Sequence, residues 1–294
     1  MATSTDSFSL RPDFVCEDSR VMHGLVRAAQ REGKRVGVVP TMGALHAGHL
    51  SLVEAAARTC DFVVVTIFVN PTQFAPHEDL DRYPRTLEAD LRQLAKLPVD
   101  HVFVPGAVMM YPPGFSTYVQ PPAVATTLEG QKRPAFFRGV TTIVLKLLQI
   151  IPADVAVFGQ KDYQQCRVVE DMVRDLNVPV LIQVEPTCRE ADGLAMSSRN
   201  AYLSADERTR ALGLRRALLA AEQAIEEGVR DATTVNQRMR ETMQQCGVDS
   251  IDYALLVDAQ TLQPCDQLEE ECVALLAAYV GATRLIDNER FEIR

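Results

Sequence analysis

Five short β-branched runs, separated by stretches with helical spacing, constrain this chain more than anything else in it. The runs are Val36–Val39, Phe62–Val69, His101–Val104, Val155–Phe158 and Val180–Val184. Between them, Leu50–Thr59, Thr86–Leu97, Gly139–Ile150 and Asp162–Leu176 carry apolar residues three and four apart. A strand followed by a helix cannot fold back on its neighbour as a hairpin, so successive strands run parallel. The expected fold is therefore α/β, with a Rossmann-like, doubly wound parallel sheet. Such sheets bind ligands in the crevice beyond the carboxyl ends of their strands, and the segments following each run are where chemistry is expected.

After Pro186 the pattern changes. Ser204-Ala205-Asp206-Glu207 reads as a capping box opening a long amphipathic helix to about Glu227. A second helix around Thr233–Cys246 follows, and then strand candidates Tyr253–Val257, Val273–Tyr279 and Thr283–Ile286. This order predicts a smaller C-terminal α+β domain, with residues 1–187 forming the sheet domain and residues 188–294 covering its crevice as a lid or docking beside it. Met110 to Pro122 and Leu128 to Arg138 interrupt the alternation and are expected to be surface loops over the crevice mouth.

Several classes of function are disfavoured early. The formal net charge of -9 argues against a nucleic-acid partner, which would call for a basic face. Met1 to Ser9 is polar and has no apolar segment of the secretory kind, and the longest apolar stretch, Val140 to Ile151, is too short to span a bilayer. The expectation is a cytoplasmic chain without membrane partners. Its 7 cysteines are scattered without metal-like spacing, as expected of free thiols.

The first strand candidate ends in Pro40-Thr41-Met42-Gly43-Ala44-Leu45-His46-Ala47-Gly48-His49. A glycine-containing turn feeding a helix leaves N–H groups unpaired at the positive end of the helix dipole, where anions bind. If Gly48 and His49 open the helix, the two imidazoles project over one anion. Zinc binding by His-x-x-His and two loop histidines without a role are the competing readings; no acidic or cysteine cluster stands near enough in sequence to complete a metal site.

The second run ends in Asn70-Pro71-Thr72-Gln73, whose neutral amides suit a small polar substrate, although an Asn-Pro turn cap accounts equally for Asn70. The fourth ends in Gly159-Gln160-Lys161-Asp162-Tyr163-Gln164-Gln165. There Gly159 allows close approach, Lys161, the last lysine of the chain, offers a point charge for phosphate, and Asp162 can cap the helix or hold a ribose hydroxyl. A solvated Lys-Asp pair is the simpler alternative. Just past the domain boundary, Met196-Ser197-Ser198-Arg199 places two hydroxyls and a guanidinium in a loop able to wrap a triphosphate.

Together these segments resemble a known family. His46-Ala47-Gly48-His49 is similar to the His-x-Gly-His signature of nucleotidyl-transferring α/β enzymes, and Met196–Arg199 to their Lys-Met-Ser-Lys-type loop. With Phe68–Phe74, Tyr83–Thr86, Gly159–Gln165 and Arg284-Leu285-Ile286-Asp287-Asn288, the chain resembles the pantothenate synthetase family from near Val36 to its end.

The resemblance implies ATP-dependent ligation of pantoate and β-alanine through pantoyl adenylate, with release of pyrophosphate and then AMP. It implies Mg²⁺ as a companion of ATP, with unknown ligands, and a homodimer. By the same resemblance His46, His49, Lys161, Ser197, Ser198 and Arg199 are catalytic, His49 as proton donor. Met42 to His49, Gly159 to Asp162, Cys188 and Met196 to Arg199 hold ATP, with the Cys188 backbone near adenine. Gln73 and Gln165 hold pantoate, with Asn70 beside them and Pro40, Met42, Val144 and Leu147 as its apolar wall, while Tyr83 and Arg133 border the entrance.

Three positions depart from the family pattern: Gln160 where Glu is common, Phe136 where His is frequent, and Cys188 in place of an aliphatic. The rivals are another nucleotidyltransferase of the superfamily, which would need more cations for a phosphorylated acceptor, and a non-catalytic ATP sensor. A dinucleotide oxidoreductase is disfavoured, because the first strand-to-helix turn lacks Gly-x-Gly-x-x-Gly.

Overall fold

The computed structural model describes Arg11, residues 14–75 and residues 80–293; the polar stretch Met1–Ser9 lies outside them. Six parallel strands form the larger sheet: β1 (Val15–Cys16), β2 (Val36–Thr41), β3 (Phe62–Ile67), β4 (His101–Phe103), β5 (Val155–Gly159) and β6 (Leu181–Glu185). Their order is β1-β4-β3-β2-β5-β6. Continuous apolar runs are explained by burial of both faces. Val36, Val38, Val64 and Ala156 face one core, built with α1 (Ser19–Arg31), α6 (Phe136–Ile150) and α7 (Tyr163–Asp175). Val39, Val63, Val65, Val155 and Val157 face the other, against α2 (Ala47–Thr59) and α3 (Leu87–Leu94). The expected doubly wound sheet is therefore what forms.

Two elements were not anticipated. The Asp18 carboxylate accepts from the N–H groups of Arg20 and Val21 at 2.8 and 3.0 Å, starting α1, whose Met22, Val26 and Ala29 are buried. The two-residue β1 adds the sixth strand beside β4.

The loop expectation for Leu128 to Arg138 is overturned, because Leu128 and Glu129 are buried, α5 (Glu129–Lys132) forms and α6 already begins at Phe136; the short α4 (Ala107–Met110) lies upstream. The physical reason is charge pairing. Glu129 accepts from both terminal nitrogens of Arg284, at 3.0 and 2.6 Å, and from the Tyr253 hydroxyl at 2.7 Å, so it is drawn inward. In the other expected loop only Met110, the last residue of α4, is fully buried.

Beyond β6 lie α8 (Ala205–Glu226), α9 (Ala232–Gln245) and an antiparallel sheet of β7 (Ser250–Asp258), β8 (Glu271–Val280) and β9 (Thr283–Glu292). The capping box forms: the Ser204 N–H donates to Glu207 at 2.8 Å and the Glu207 N–H to the Ser204 hydroxyl at 3.3 Å. From Cys272 to Ala278 strand β8 is apolar because both of its faces are covered. Cys272, Ala274, Leu276 and Ala278 pack with α8 and α9, whereas Val273, Leu275 and Ala277 join the core around α6 and α7. The small sheet thus stands as a wall against the larger lobe. Among the described residues, no helix is long and apolar enough to cross a membrane.

Candidate active site

The chain passes from β2 to β3 and β4 on one side, then returns to β5 on the other, so the winding reverses between β2 and β5. Those two strands pair only through Gly37–Val155 and Val38–Ala156, and their carboxyl ends continue beyond the ladder. A cavity of about 570 Å³ opens there, the place such a reversal favours. It brings together Pro40, Met42, His46, Gly48, His49, Gln73, Val144, Leu147, Gly159, Lys161, Asp162 and Gln165 from one lobe with Cys188, Met196, Ser197, Ser198 and Arg199 from the other. Tyr83 and Arg133 line it as well. Gly43, Ala44, Leu45, Ala47, Asn70 and Gln160 do not.

The turn after β2 explains part of that division. Gly43 and Ala44 both have positive φ, 81° and 52°, turning the backbone away from the crevice. The N–H groups of Ala44 and Leu45 each donate at 2.9 Å to Asp90 of α3, a carboxylate only 1% exposed that also accepts from the Thr86 hydroxyl. The expected anion therefore occupies the turn, but it is the protein's own carboxylate. Ligand recognition is left to the start of α2 and to the side chains beside it.

Helix α2 begins at Ala47, one residue before the expected start, with His46 as its cap residue. The His49 N–H donates to the His46 carbonyl at 2.8 Å, and the His46 N–H donates to His49 Nδ1 at 3.4 Å. His49 consequently carries its proton on Nε2. The rings lie 4.1 Å apart. Burial, together with the neighbouring His46, lowers the His49 pKa to about 3. Burial, followed by repulsion from Lys161, lowers that of His46. Both are neutral donors or acceptors at pH 7. A side chain on Gly48 would meet the His46 ring at 3.0 Å and Cys188 at 3.5 Å, so glycine permits the lobes to approach here.

Asn70 is a structural cap. Its Oδ1 accepts from the Tyr111 hydroxyl at 2.8 Å and the Thr72 hydroxyl at 3.0 Å, while Nδ2 donates to Gln73 Oε1 at 2.9 Å and to the Gly139 carbonyl at 3.2 Å. Its amide is spent, and the assignment to a substrate contact does not survive. What Asn70 does is orient Gln73, whose Nε2 then remains to donate. The neighbouring glutamines on α7 divide similarly. Both line the cavity, but Gln164 spends its nitrogen on the carbonyls of Val124 and Thr127, at 2.8 and 2.9 Å.

On the β5 side, Lys161 Nζ stands 3.6 Å from the half-exposed carboxylate of Asp162. Asp162 precedes α7 without capping it through its side chain. Gln160 turns to the second lobe, where its Nε2 donates to Asn288 at 3.3 Å. Opposite, a hairpin with Gly193 at its tip (φ 92°) pairs Arg189 with Ala195 and delivers Ser197–Arg199 to the cavity. Ser197 accepts from the Arg199 N–H at 3.3 Å. Tyr83 hydrogen-bonds Ser198, so the entrance segment touches the opposing loop. At Phe136 the ring lies 3.9 Å from the Arg133 guanidinium, and Arg133 donates to the Gln73 carbonyl at 2.9 Å. Stacking thus takes the place of an imidazole there.

A family model described as pantoate-beta-alanine ligase matches residues 15–290. The chain belongs to this family. Membership makes it an enzyme, a ligase of pantothenate biosynthesis. The pantothenate synthetase of Rhodopirellula baltica is 53% identical over 270 residues, covering 91% of this chain and 95% of its own. The crystal structure of pantothenate synthetase from Thermus thermophilus superposes with a TM-score of 0.89 at 41% identity, covering 95% of this chain and 99% of that one. Francisella tularensis pantoate-beta-alanine ligase, solved in complex with beta-gamma ATP and beta-alanine, gives a TM-score of 0.78 at 34% identity over 94% of this chain and 97% of its own.

In and around this pantoate-beta-alanine ligase cavity, three features are not legible in the sequence. Asp90 had no motif to announce it, only a Thr-x-x-x-Asp spacing on the helix beside the turn. Thr187, whose buried hydroxyl has no partner among the described residues, also lines the cavity. Asn288 lay inside a recognised segment but without a role.

Proposed function

We propose that this cavity ligates pantoate to β-alanine through pantoyl adenylate. A pantoate carboxylate oxygen attacks the α-phosphorus of ATP, the bond to the bridging oxygen breaks, and pyrophosphate leaves. The β-alanine amine then attacks the acyl carbon, the bond to AMP breaks, and the amine gives up a proton. The observation that carries this reading is the combination of groups that line one cavity. Phosphate-seeking groups, namely Lys161, Ser197, Ser198, Arg199 and two neutral imidazoles, line it together with the neutral amides of Gln73 and Gln165 and with apolar side chains.

Neutral amides suit the nucleophile, because a cation beside the carboxylate would quench it. Pro40, Met42, Val144 and Leu147 supply the apolar wall for pantoate's methyl groups. His49 acts as a donor from Nε2 to a phosphate oxygen rather than as an imidazolium acid, a role consistent with its depressed pKa. Phosphoryl-group displacement needs positioning and charge stabilisation more than covalent help. The chain is divided at residues 187 and 188, the second lobe supplying one wall of the clamp.

The donor set fits Mg²⁺ carried in by the nucleotide. Among the described residues no cluster of three His, Cys, Asp or Glu side chains could cage a metal, but Asp162 offers one half-exposed carboxylate in the cavity. Mg²⁺ is ordinarily bound by one or two carboxylates with phosphates and water, and there it would neutralise charge developing on pyrophosphate.

Pantoate labelled with ¹⁸O in its carboxylate tests the route. Transfer of one label into AMP supports it, and unlabelled AMP refutes an adenylate.

A further inference from the structure

Asp287 and Asn288 of β9 touch both walls of the cavity. Asn288 is 1% exposed, and its Nδ2 donates to two carbonyls of the opposite lobe, Gln160 at 2.9 Å and Lys161 at 2.8 Å. Carbonyls only accept, so the amide must present its nitrogen to them; its oxygen then accepts from Gln160 Nε2 at 3.3 Å. Both amide hydrogens are thereby committed to the backbone of the opposite lobe. Next to it, Asp287 accepts from both terminal nitrogens of Arg189, at 2.7 and 3.0 Å. Arg189 also donates to the Gly193 carbonyl at 3.2 Å and to the Asn288 carbonyl at 3.4 Å. It thereby ties β9 to the hairpin that delivers Ser197–Arg199.

We propose that Asn288 is a positioning residue, setting Lys161 at a fixed distance from Ser197–Arg199, with the Asp287–Arg189 pair as the fixed point on the opposing wall. Lys161 sits on a single 3-10 turn, Gln160–Asp162, too short to hold its own orientation. Two of its three carbonyls end on Asn288. Without that amide the turn rotates to find other donors, and the ammonium moves with it. A misplacement of about 1 Å in a group that stabilises a transition state costs roughly 10²-fold in rate. The inference rests on the phosphate role given to Lys161 above.

The test is pantoate-dependent ATP–pyrophosphate exchange in the wild type, Asn288→Ala, Lys161→Ala and the double variant, with adenosine binding measured alongside. The expected result is that Asn288→Ala lowers exchange about 10- to 100-fold, leaves adenosine affinity within about twofold, and has almost no further effect once Lys161 is alanine. Losses that multiply in the double variant, or a parallel loss of adenosine binding, overturn the proposal and leave the role of Lys161 standing. Full exchange in Lys161→Ala alone overturns the phosphate role itself, and the positioning role with it. Should Asn288→Ala not fold, Asn288→Ser and Gln160→Ala carry the same cycle, the serine able to satisfy only one carbonyl.

Discussion

His49 makes stability depend on pH in a way that can be calculated. Its pKa is about 3 in the folded protein, against an ordinary value of 6.5. Between these values the unfolded chain binds a proton that the folded chain refuses, so stability is complete above 6.5 and is lost as pH falls towards 3. At pH 5.5 the cost is RT ln 11, about 1.4 kcal/mol, and at pH 7.5 it is below about 0.1 kcal/mol. The ring is partly exposed to the cavity, but any folded value below about 4.5 gives nearly the same result at pH 5.5. His49→Asn removes this titration while the other histidines remain in both proteins. Urea unfolding at the two pH values should show the wild type losing about 1.3 kcal/mol more than the variant. Equal losses in the two proteins would show that His49 titrates normally and that the neutral-donor role is wrong.

Other consequences concern single contacts. His49→Ala should slow adenylate formation about 10²- to 10³-fold, the scale for removing one transition-state donor, as read by single-turnover quench. Near-normal rates would remove His49 from the chemistry. Gln73→Ala should raise the KM for pantoate roughly 2- to 10-fold, one hydrogen bond's worth, while the KM for ATP holds. Equal changes for both substrates would exclude a pantoate contact. Asp90→Ala strands one buried and one half-buried N–H group and should cost about 2–4 kcal/mol in chemical denaturation, with exchange activity falling as the turn before α2 loosens. Unchanged stability would mean that water replaces the carboxylate without cost.

What the sequence disclosed and what it concealed follow from the range of the interactions involved. β-Branched runs and helical spacing report local burial, so β2, β3, β5 and the helices between them were legible. Strand β9 was traced only to Ile286, because Asp287-Asn288-Glu289-Arg290 breaks the apolar pattern; those residues stay in the strand since their partners, Arg189, Gln160 and Arg215, come from elsewhere in the chain. Asn70 and Gln73 looked alike as neutral amides, and only the positions of Tyr111 and Gly139 show that one is spent holding the other. The turn after β2 was recognised as an anion site, but not that Asp90 fills it from 46 residues away. Chemistry concentrated within a motif can be read from order alone, whereas support arriving from another element cannot.

The adenylate route is tested most directly by exchange of labelled pyrophosphate into ATP. Exchange should require pantoate, proceed without β-alanine, and stop when β-alanine is added and the intermediate is drawn off to product. Exchange that is absent with pantoate alone, or that appears only when β-alanine is present, would contradict a two-step ligation at this cavity.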